Sequence, residues 1–148
     1  VGLLSGGQRQ AVTLLMATLQ KPKLLLLDEH TAALDPATAA KVLRLTREIV
    51  EGHHLTALMV THNMSNINLC DKIAFLGVGG VLCYYGPPEN LNTYFDVELT
   101  SDIFEKLRVP ELVEQYRCQY FTTPEFNRLA AAWPEAAKEA DKRCNQAK

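Results

Sequence analysis

Two adjacent carboxylates, Asp28 and Glu29, follow an unbroken run of four leucines, Leu24 to Leu27. Such a run is typical of a strand that is covered on both faces, as in a parallel sheet, and ligands of open α/β sheets bind beyond the carboxyl ends of such strands. An aspartate there can hold a magnesium ion through its water shell, and a neighbouring glutamate can orient or deprotonate an attacking water. The alternative is that both acids are solvated loop residues.

A histidine, His62, directly follows a second apolar run, Leu55 to Thr61. If the two runs form neighbouring parallel strands, His62 emerges at the same edge of the sheet as Asp28 and Glu29. A histidine there can donate a hydrogen bond to a phosphate group and contact the water that attacks it. A single histidine at a strand end is more often structural than catalytic, so this residue alone does not decide between the two roles.

The segment Leu4-Ser5-Gly6-Gly7-Gln8 stands at the start of a predicted helix. Exposed backbone amides and the positive end of a helix attract anions, and glycine lets a phosphate approach the backbone closely. The segment is therefore a candidate phosphate site. The alternative is an ordinary helix cap.

Helical periodicity lies on both sides of the acidic pair and predicts the elements that position it. The first helix is expected to end at Lys21-Pro22-Lys23. The second has Asp35 as its cap and Pro36 in its first turn, and Gly52 is its predicted stop. Helices that alternate with buried strands predict an α/β unit with a parallel sheet. The apolar stripes are Ala11, Val12, Leu15, Met16 and Leu19 in the first helix, and Ala39, Val42, Leu43, Thr46, Ile49 and Val50 in the second.

Beyond Met64 the pattern changes to two short strands joined by glycines, which predicts an antiparallel hairpin. A Gly-Pro-Pro turn then leads into a short helix, and three or four further short helices are expected after Ser101. In order, these features are the strands 72–76 and 81–85, the turn 86–88, the helix that ends near Phe95, and helix breaks at Pro110, Pro124 and Pro134.

Composition limits the remaining possibilities. The chain has 148 residues, 47% of them hydrophobic, which suffices for one compact domain and a small appendage. Its formal net charge of -2 indicates no basic surface for nucleic acid. The apolar runs fall short of the roughly 20 residues that a membrane-spanning helix needs. Four scattered cysteines, at positions 70, 83, 118 and 144, are expected to be reduced thiols.

Taken together and in order, these motifs resemble the C-terminal lobe of the ABC ATPase family over roughly residues 1 to 64. The resemblance implies that Leu4-Ser5-Gly6-Gly7-Gln8 is the signature, which binds the γ-phosphate of an ATP held by the opposite subunit. It also implies that Asp28 is the Walker B aspartate, which binds Mg²⁺, and that Glu29 is the catalytic glutamate. His62 matches the switch histidine.

The segment Ala32 to Asp35 matches the D-loop of that family, which couples the two ATP sites, and Asp35 is thereby an expected ATP-site residue. Two positions depart from the family pattern. His30 stands where most members have proline, and Ala32 stands where they have serine. Residues 68 to 95 look like the end of the ATPase domain of White-type, G-subfamily transporters. By this second resemblance, residues 101 to 148 lead towards a membrane domain.

The family resemblance implies an α/β fold, namely a partial P-loop NTPase (ABC ATPase) fold with parallel strands, a C-terminal β-hairpin and a helical tail. Residues 1–95 are expected to be the C-terminal part of the ATPase domain, and residues 96–148 a helical tail or a connection to a membrane domain. ATP and Mg²⁺ are the implied cofactors. The implied partners are a second ATPase domain in a head-to-tail dimer and a transmembrane transporter domain, without nucleic acid, at the cytoplasmic side of the membrane.

The 148 residues contain no glycine-rich loop ending in Gly-Lys-Ser/Thr, the motif that cradles the phosphates in this family. The chain is therefore expected to be a piece of a longer protein that binds ATP weakly and hydrolyses it negligibly by itself. An unpaired sheet edge is expected to favour self-association. Two alternatives stay open: an ABC ATPase that acts outside transport, and an interaction module whose working part is residues 101 to 148.

Overall fold

The apolar runs around the acidic pair form α1 (Gly6–Thr18), β1 (Leu24–Asp28), α2 (Pro36–Gly52) and β2 (Thr56–Val60). The structure, a computed structural model, describes residues 4–19, 22–29, 31–135 and 138. It divides into two compact units, Val1–Leu69 and Cys70–Lys148. In the first unit β1 and β2 pair in parallel, with Leu24 opposite Thr56 and Asp28 opposite Val60. The predicted α/β class with parallel strands is confirmed.

Helix α2 begins and ends where the sequence predicts. The Asp35 side chain accepts a hydrogen bond of 3.0 Å from the Thr38 backbone amide, and Pro36 is the first helical residue. This cap satisfies one of the amides that the first turn of a helix leaves unpaired. The helix ends at Gly52, and His54 beyond it has a left-handed backbone with φ of 53°.

The core of the first unit lies where α1 and α2 pack against one face of the two-stranded sheet. One buried side chain comes from each of three elements: Leu14 from α1, Leu25 from β1 and Ile49 from α2. Partly buried leucines at positions 27, 45 and 55 surround them. Burial of these aliphatic side chains is the main stabilising contribution to this unit.

The predicted apolar stripe of α1 is wrong. Val12, Leu15, Met16 and Leu19 are exposed, and Leu19 keeps 78% of its surface. The buried positions are instead Leu14 and Thr18, whose hydroxyl group donates to the Leu15 carbonyl oxygen at 2.8 Å. The helix is apolar on more than one face, so periodicity alone did not select the face that contacts β1 and α2.

The expectation that both strands are covered on both faces is also wrong for the part of the chain that the structure describes. Leu25 is 5% exposed, whereas Leu26 is 66% and Leu58 is 58% exposed. Side chains alternate between the faces of a strand. The two helices cover only the face that carries Leu25, so the leucines of the opposite face remain in contact with solvent.

In the second unit, β3 (Ile73–Gly77) and β4 (Val81–Gly86) form the predicted antiparallel hairpin. They are joined by a turn at Val78–Gly80 in which Gly79 and Gly80 have φ of 77° and 73°. Backbone at such angles is accessible to glycine and strained for other residues. The hairpin is followed by α3 (Leu91–Phe95), which confirms the short helix predicted to end near Phe95.

The helices α4 (Ile103–Lys106), α5 (Pro110–Tyr120) and α6 (Pro124–Ala132) follow. Two of the three prolines predicted as helix breaks, Pro110 and Pro124, are the first residues of α5 and α6, where a missing amide hydrogen is tolerated. Helix α6 ends at Ala132, before the third, Pro134. Within the described residues, no helix is both long and apolar enough to cross a membrane. Lys21, His30 and residues 139–148, on which parts of the predictions fall, lie outside the described residues.

Aromatic rings form the core of the second unit. The Phe95 ring lies 4.8 Å from that of Tyr116, 4.9 Å from that of Tyr94 and 5.6 Å from that of Phe75, measured between centroids. The Tyr94 hydroxyl group lies 2.9 Å from the carbonyl oxygens of both Cys83 and Tyr116. It thereby links β4 to α5 through α3.

Two predictions from the sequence concern this unit, namely the state of the cysteines and the position of the domain boundary. Cys118 is disulfide-bonded, so the expectation that all four cysteines are thiols is wrong. Pairing depends on the distance between cysteine residues in the folded chain, which sequence spacing does not give.

The compact units divide at Leu69 and Cys70, whereas the predicted boundary between the ATPase part and the tail follows residue 95. That functional boundary stays a prediction.

Candidate functional site

The parallel pairing of β1 and β2 brings the ends of both strands to one edge of the sheet. Asp28, the last residue of β1, lies opposite Val60, the last residue of β2. The backbone amide of Glu29 donates to the Val60 carbonyl oxygen at 2.9 Å, so the hydrogen bonding between the two segments continues one residue beyond the end of β1. Glu29 and His62 therefore leave the sheet side by side.

Glu29 and His62, both predicted as catalytic, are in direct contact. Nδ1 of His62 lies 2.8 Å from Oε1 of Glu29. An ionised carboxylate can only accept a hydrogen bond, so in this contact the N–H group is at Nδ1 and donates the hydrogen bond to Glu29. The two side chains are 71% and 48% exposed, so a solvent molecule or a ligand can reach both.

Glu29 has a backbone feature that the sequence did not predict. Its φ of 41° lies in the left-handed region, which is uncommon outside glycine, asparagine and aspartate. Two hydrogen bonds hold the residue in this conformation. Its backbone amide donates to the Val60 carbonyl oxygen, and the Ala32 amide donates to the Glu29 carbonyl oxygen at 2.9 Å. Backbone strain of this kind is concentrated at functional sites.

The predicted signature segment forms a reciprocal cap on α1. The Gln8 amide donates to the Ser5 hydroxyl oxygen at 3.3 Å, and the Ser5 amide donates to Oε1 of Gln8 at 2.9 Å. This is a capping box. The sequence prediction treated Gln8 only as part of a motif, although Ser-x-x-Gln before a helix is itself the signal for this cap.

Gly6 and Gly7 lie against the start of α2. A methyl group on Gly6 would come within 3.1 Å of a Leu34 methyl group, and one on Gly7 would overlap the Thr38 side chain. The predicted signature therefore lies next to Leu34 of the predicted D-loop and Thr38 of α2. Thr38 is a neighbour of the predicted signature that sequence reasoning did not single out.

Asp35 is engaged as the cap of α2. Hydrogen bonds from the side chain and the backbone of Thr38 hold the pKa of Asp35 below its ordinary value, because they favour the ionised form. The carboxylate is fully exposed. It is thus a charged group at the start of α2.

The predicted magnesium ligand, Asp28, is an exposed carboxylate at the end of β1. Residues 4–19, 22–29, 31–135 and 138 contain no group of three or more His, Cys, Asp and Glu side chains that could hold a metal ion. A single carboxylate nevertheless suits Mg²⁺, which keeps several water ligands and is commonly bound by one or two carboxylates together with substrate phosphates. The residue present fits that form of binding.

An apolar groove of about 250 Å³ lies in the second unit, between β4, α5 and α6. It is lined by Leu82, Tyr120, Phe121, Phe126, Leu129, Ala130 and Trp133. The lining offers no carboxylate, histidine or thiol for catalysis. The candidate site of this chain is therefore the edge of the sheet in the first unit.

Comparison with known families gives a match between residues 1–32 and the family described as ABC transporter. This segment contains the capping box and both carboxylates, Asp28 and Glu29.

The chain is similar to several curated proteins. It is 51% identical over 83 residues to the tyrosine transport ATP-binding protein of Clostridioides difficile. The matched residues cover 55% of this chain and 33% of that relative. It is 35% identical over 132 residues to the methionine import ATP-binding protein MetN of Vibrio vulnificus, covering 88% of this chain and 37% of the relative. It is also 35% identical over 104 residues to the ABC transporter ATP-binding/permease protein Rv1747 of Mycobacterium tuberculosis, covering 70% of this chain and 12% of the relative. The chain spans about a third of the length of the first two relatives.

Proposed function

The chain belongs to the ABC transporter family, as part of an ATP-binding domain, and from this premise we propose that it supplies the hydrolytic residues of one ATP site and the phosphate-binding signature of a second. The observation that carries the proposal is the 2.8 Å contact between Glu29 and His62 at the ends of two parallel strands. It joins the two residue types that activate water and contact phosphate, at the sheet edge where ligands of such folds bind.

In this proposal Glu29 orients the attacking water and takes its proton at the carboxylate. His62 donates from Nδ1 to that carboxylate and so fixes its direction. The imidazole ring is largely exposed, so its second nitrogen, Nε2, can reach the γ-phosphate. Asp28 is the residue that would hold Mg²⁺, which when bound neutralises negative charge on the phosphates.

The signature contributes to the other site. A capping box occupies the amides of Ser5 and Gln8. The amides of Gly6 and Gly7 also belong to the first turn, where a helix offers no internal acceptor. They are the donors that an incoming phosphate would use. Because the signature binds an ATP held elsewhere, the proposal requires a second ATPase domain that faces this one head to tail.

Leu34 and Thr38 lie beside these glycines and connect the signature to the start of α2. We infer that this contact couples the two ATP sites, since movement of the α2 start would move the signature with it. The departure at Ala32 removes a hydroxyl group from the predicted D-loop. The coupling therefore depends on packing of Gly6 and Gly7 rather than on that hydroxyl.

We propose that the domain works with a transmembrane transporter domain at the cytoplasmic face of the membrane, as the names of its relatives in tyrosine transport and methionine import suggest. The resemblance of residues 68–95 to White-type transporters stays a prediction. Cys118 is disulfide-bonded in the structure, and a reducing cytoplasm disfavours disulfides, so the proposed location predicts that this bond is reduced in the cell. Alkylation of intact cells followed by mass spectrometry checks this, and a Cys118 that resists alkylation until reduction would contradict the location.

The hydrolytic role is tested in a chimera in which the Vibrio vulnificus relative supplies a phosphate-binding loop ahead of Val1. Glu29→Gln is expected to lower ATP turnover at least about a hundredfold, because it removes the base, while ATP binding persists. Glu48→Gln, an exposed change of the same type on α2, is the matched control and is expected to leave turnover unchanged. Equal turnover in the Glu29 and Glu48 variants would refute the role of Glu29.

A further inference from the structure

His62 is carried by a segment that holds itself together mainly through short-range bonds. Residues 61–69 connect β2 to a single helical turn, Ile67–Leu69. Within the segment, the Asn63 amide donates to the Thr61 hydroxyl oxygen at 3.0 Å and the Ser65 amide donates to the Asn63 side chain at 2.9 Å. Bonds between near neighbours define local turns, but they do not fix the position of the segment relative to the sheet.

A side chain of α2 supplies a long-range connection to this segment. Nη1 of Arg47 donates to the Leu69 carbonyl oxygen at 2.6 Å, across 22 residues of sequence. Its Nε donates to Oε1 of Glu51 at 2.8 Å, one turn further along the same helix. The Arg47 side chain is 35% exposed, so water screens these bonds less than it would on an open surface.

We propose that Arg47 is a positioning residue for His62. It anchors the far end of the segment to α2, while β2 anchors the near end. The segment is thus held at both ends, and His62 is kept where its Nδ1 meets the Glu29 carboxylate. The inference deepens the proposed function, on which its importance for ATP hydrolysis rests.

The choice of arginine follows from the geometry of its head group. A guanidinium group offers several N–H donors in one rigid plane, so the bond to Glu51 aims Nη1 towards Leu69. A lysine has a single nitrogen on a flexible stem and does not transmit the direction set by Glu51. Arg47→Lys is therefore expected to preserve part of the anchoring and Arg47→Met to abolish it.

Nuclear magnetic resonance on the ¹⁵N-labelled 148-residue chain tests the role without ATP. In Arg47→Met, the amides of Ser65 and Leu69 are expected to exchange with solvent about tenfold faster, as expected for loss of one charge-assisted hydrogen bond. The ¹⁵N signal of His62 Nδ1 is expected to move towards its position in Glu29→Ala, where the contact is absent. Arg47→Lys should give intermediate values for both.

Arg44→Met is the matched control, because Arg44 is an exposed arginine on the same helix, and it should change neither quantity. An unchanged Nδ1 signal in Arg47→Met would overturn the proposal, as would faster exchange spread evenly over α2 and β2. If Arg47→Met does not fold, Glu51→Gln is measured instead. A smaller shift of the Nδ1 signal in the same direction supports the proposal, and no shift overturns it.

The positioning role and the hydrolytic role can fail separately, because neither resonance measurement involves nucleotide. In the chimera described above, Arg47→Met should lower kcat and leave KM for ATP unchanged, since it disturbs the hydrolytic pair and not the binding loop. Unchanged kcat together with a displaced Nδ1 signal would retain the positioning role and refute the importance of His62 for turnover.

Discussion

A methyl group added to Gly7 would overlap the Thr38 side chain, and one added to Gly6 would lie 3.1 Å from a Leu34 methyl group. The close approach of α1 to the start of α2 thus depends on the absence of side chains at both positions. Loss of activity after substitution of either glycine has two physical causes, a lost phosphate contact and a displaced helix. Stability measurements separate the two.

Gly7→Ala is expected to lower the free energy of unfolding by about 1–3 kcal/mol, the usual range for overpacking a close contact. The atom that the new methyl group meets first is Cγ2 of Thr38, which serine lacks. The double variant Gly7→Ala/Thr38→Ser should therefore recover part of the loss in urea denaturation. Strictly additive effects of the two substitutions would show that this contact is not the cause.

At the scale of the elements, the two-stranded sheet exposes one apolar face. Leu26 and Leu58 on that face are largely solvent-exposed, although each belongs to a strand. Contiguous exposed apolar surface next to unpaired strand edges favours association. This observation gives the predicted self-association a second cause besides the open edge.

Leu26→Gln is expected to lower the apparent mass of the chain in light scattering at high concentration, because it makes the exposed face polar without touching the core. Leu76→Gln is a suitable control, since Leu76 is 61% exposed and lies in β3, in the other sheet. Wild-type protein that remains strictly monomeric at high concentration would contradict the prediction, and so would an equal effect of the two substitutions.

The second unit contains all five tyrosines of the chain. Burial raises the pKa of Tyr84 and of Tyr120 from 10.0 to about 12, because a buried tyrosinate is poorly solvated. A pKa that is higher in the folded state stabilises the fold fully below pH 10, and this contribution is lost as the pH rises towards 12. Alkaline unfolding of this unit is therefore expected in that range.

Tyr120→Phe provides the test. The buried Tyr120 hydroxyl group has no hydrogen-bond partner among the described residues, so its removal is expected to stabilise the unit by roughly 1 kcal/mol. The same substitution removes one titrating group, and the alkaline midpoint should move to higher pH in near-ultraviolet circular dichroism. A midpoint that stays fixed or moves to lower pH would show that ionisation of Tyr120 does not drive the transition.

For the whole molecule, the 148 residues alone are expected to hydrolyse ATP at the background rate, since they contain no Gly-Lys-Ser/Thr loop. Turnover should appear only in the chimera that supplies this loop. A coupled phosphate-release assay on both proteins measures the difference. Magnesium-dependent turnover by the 148-residue chain that Glu29→Gln abolishes would contradict the prediction.

Local signals in the sequence were sufficient for most of the architecture. Asp35 and Pro36 marked the start of α2, and glycines marked the hairpin turn, because caps and turns depend on a few neighbouring residues. The proximity of Glu29 and His62 followed from parallel pairing of two apolar runs. These predictions needed no information about distant packing.

Other features depended on contacts that the sequence does not encode locally. The exposed face of α1 was mistaken for the buried one, because several faces of that helix are apolar and only packing against β1 selects Leu14. The left-handed backbone of Glu29, the anchor from Arg47 to Leu69 and the disulfide at Cys118 all arise from tertiary geometry. Position in the sequence gave no signal for them.

The contact between Glu29 and His62 also has a consequence for how the protein is made. The two residues are 33 positions apart, with the whole of α2 between them. At the usual synthesis rates of 5–20 residues per second, the ribosome takes about 2 to 7 seconds to add that length. During this interval the leucines of β1 have been synthesised, but their partner strand β2 has not. The pace of translation through α2 therefore sets how long the leucines of β1 remain without a partner strand.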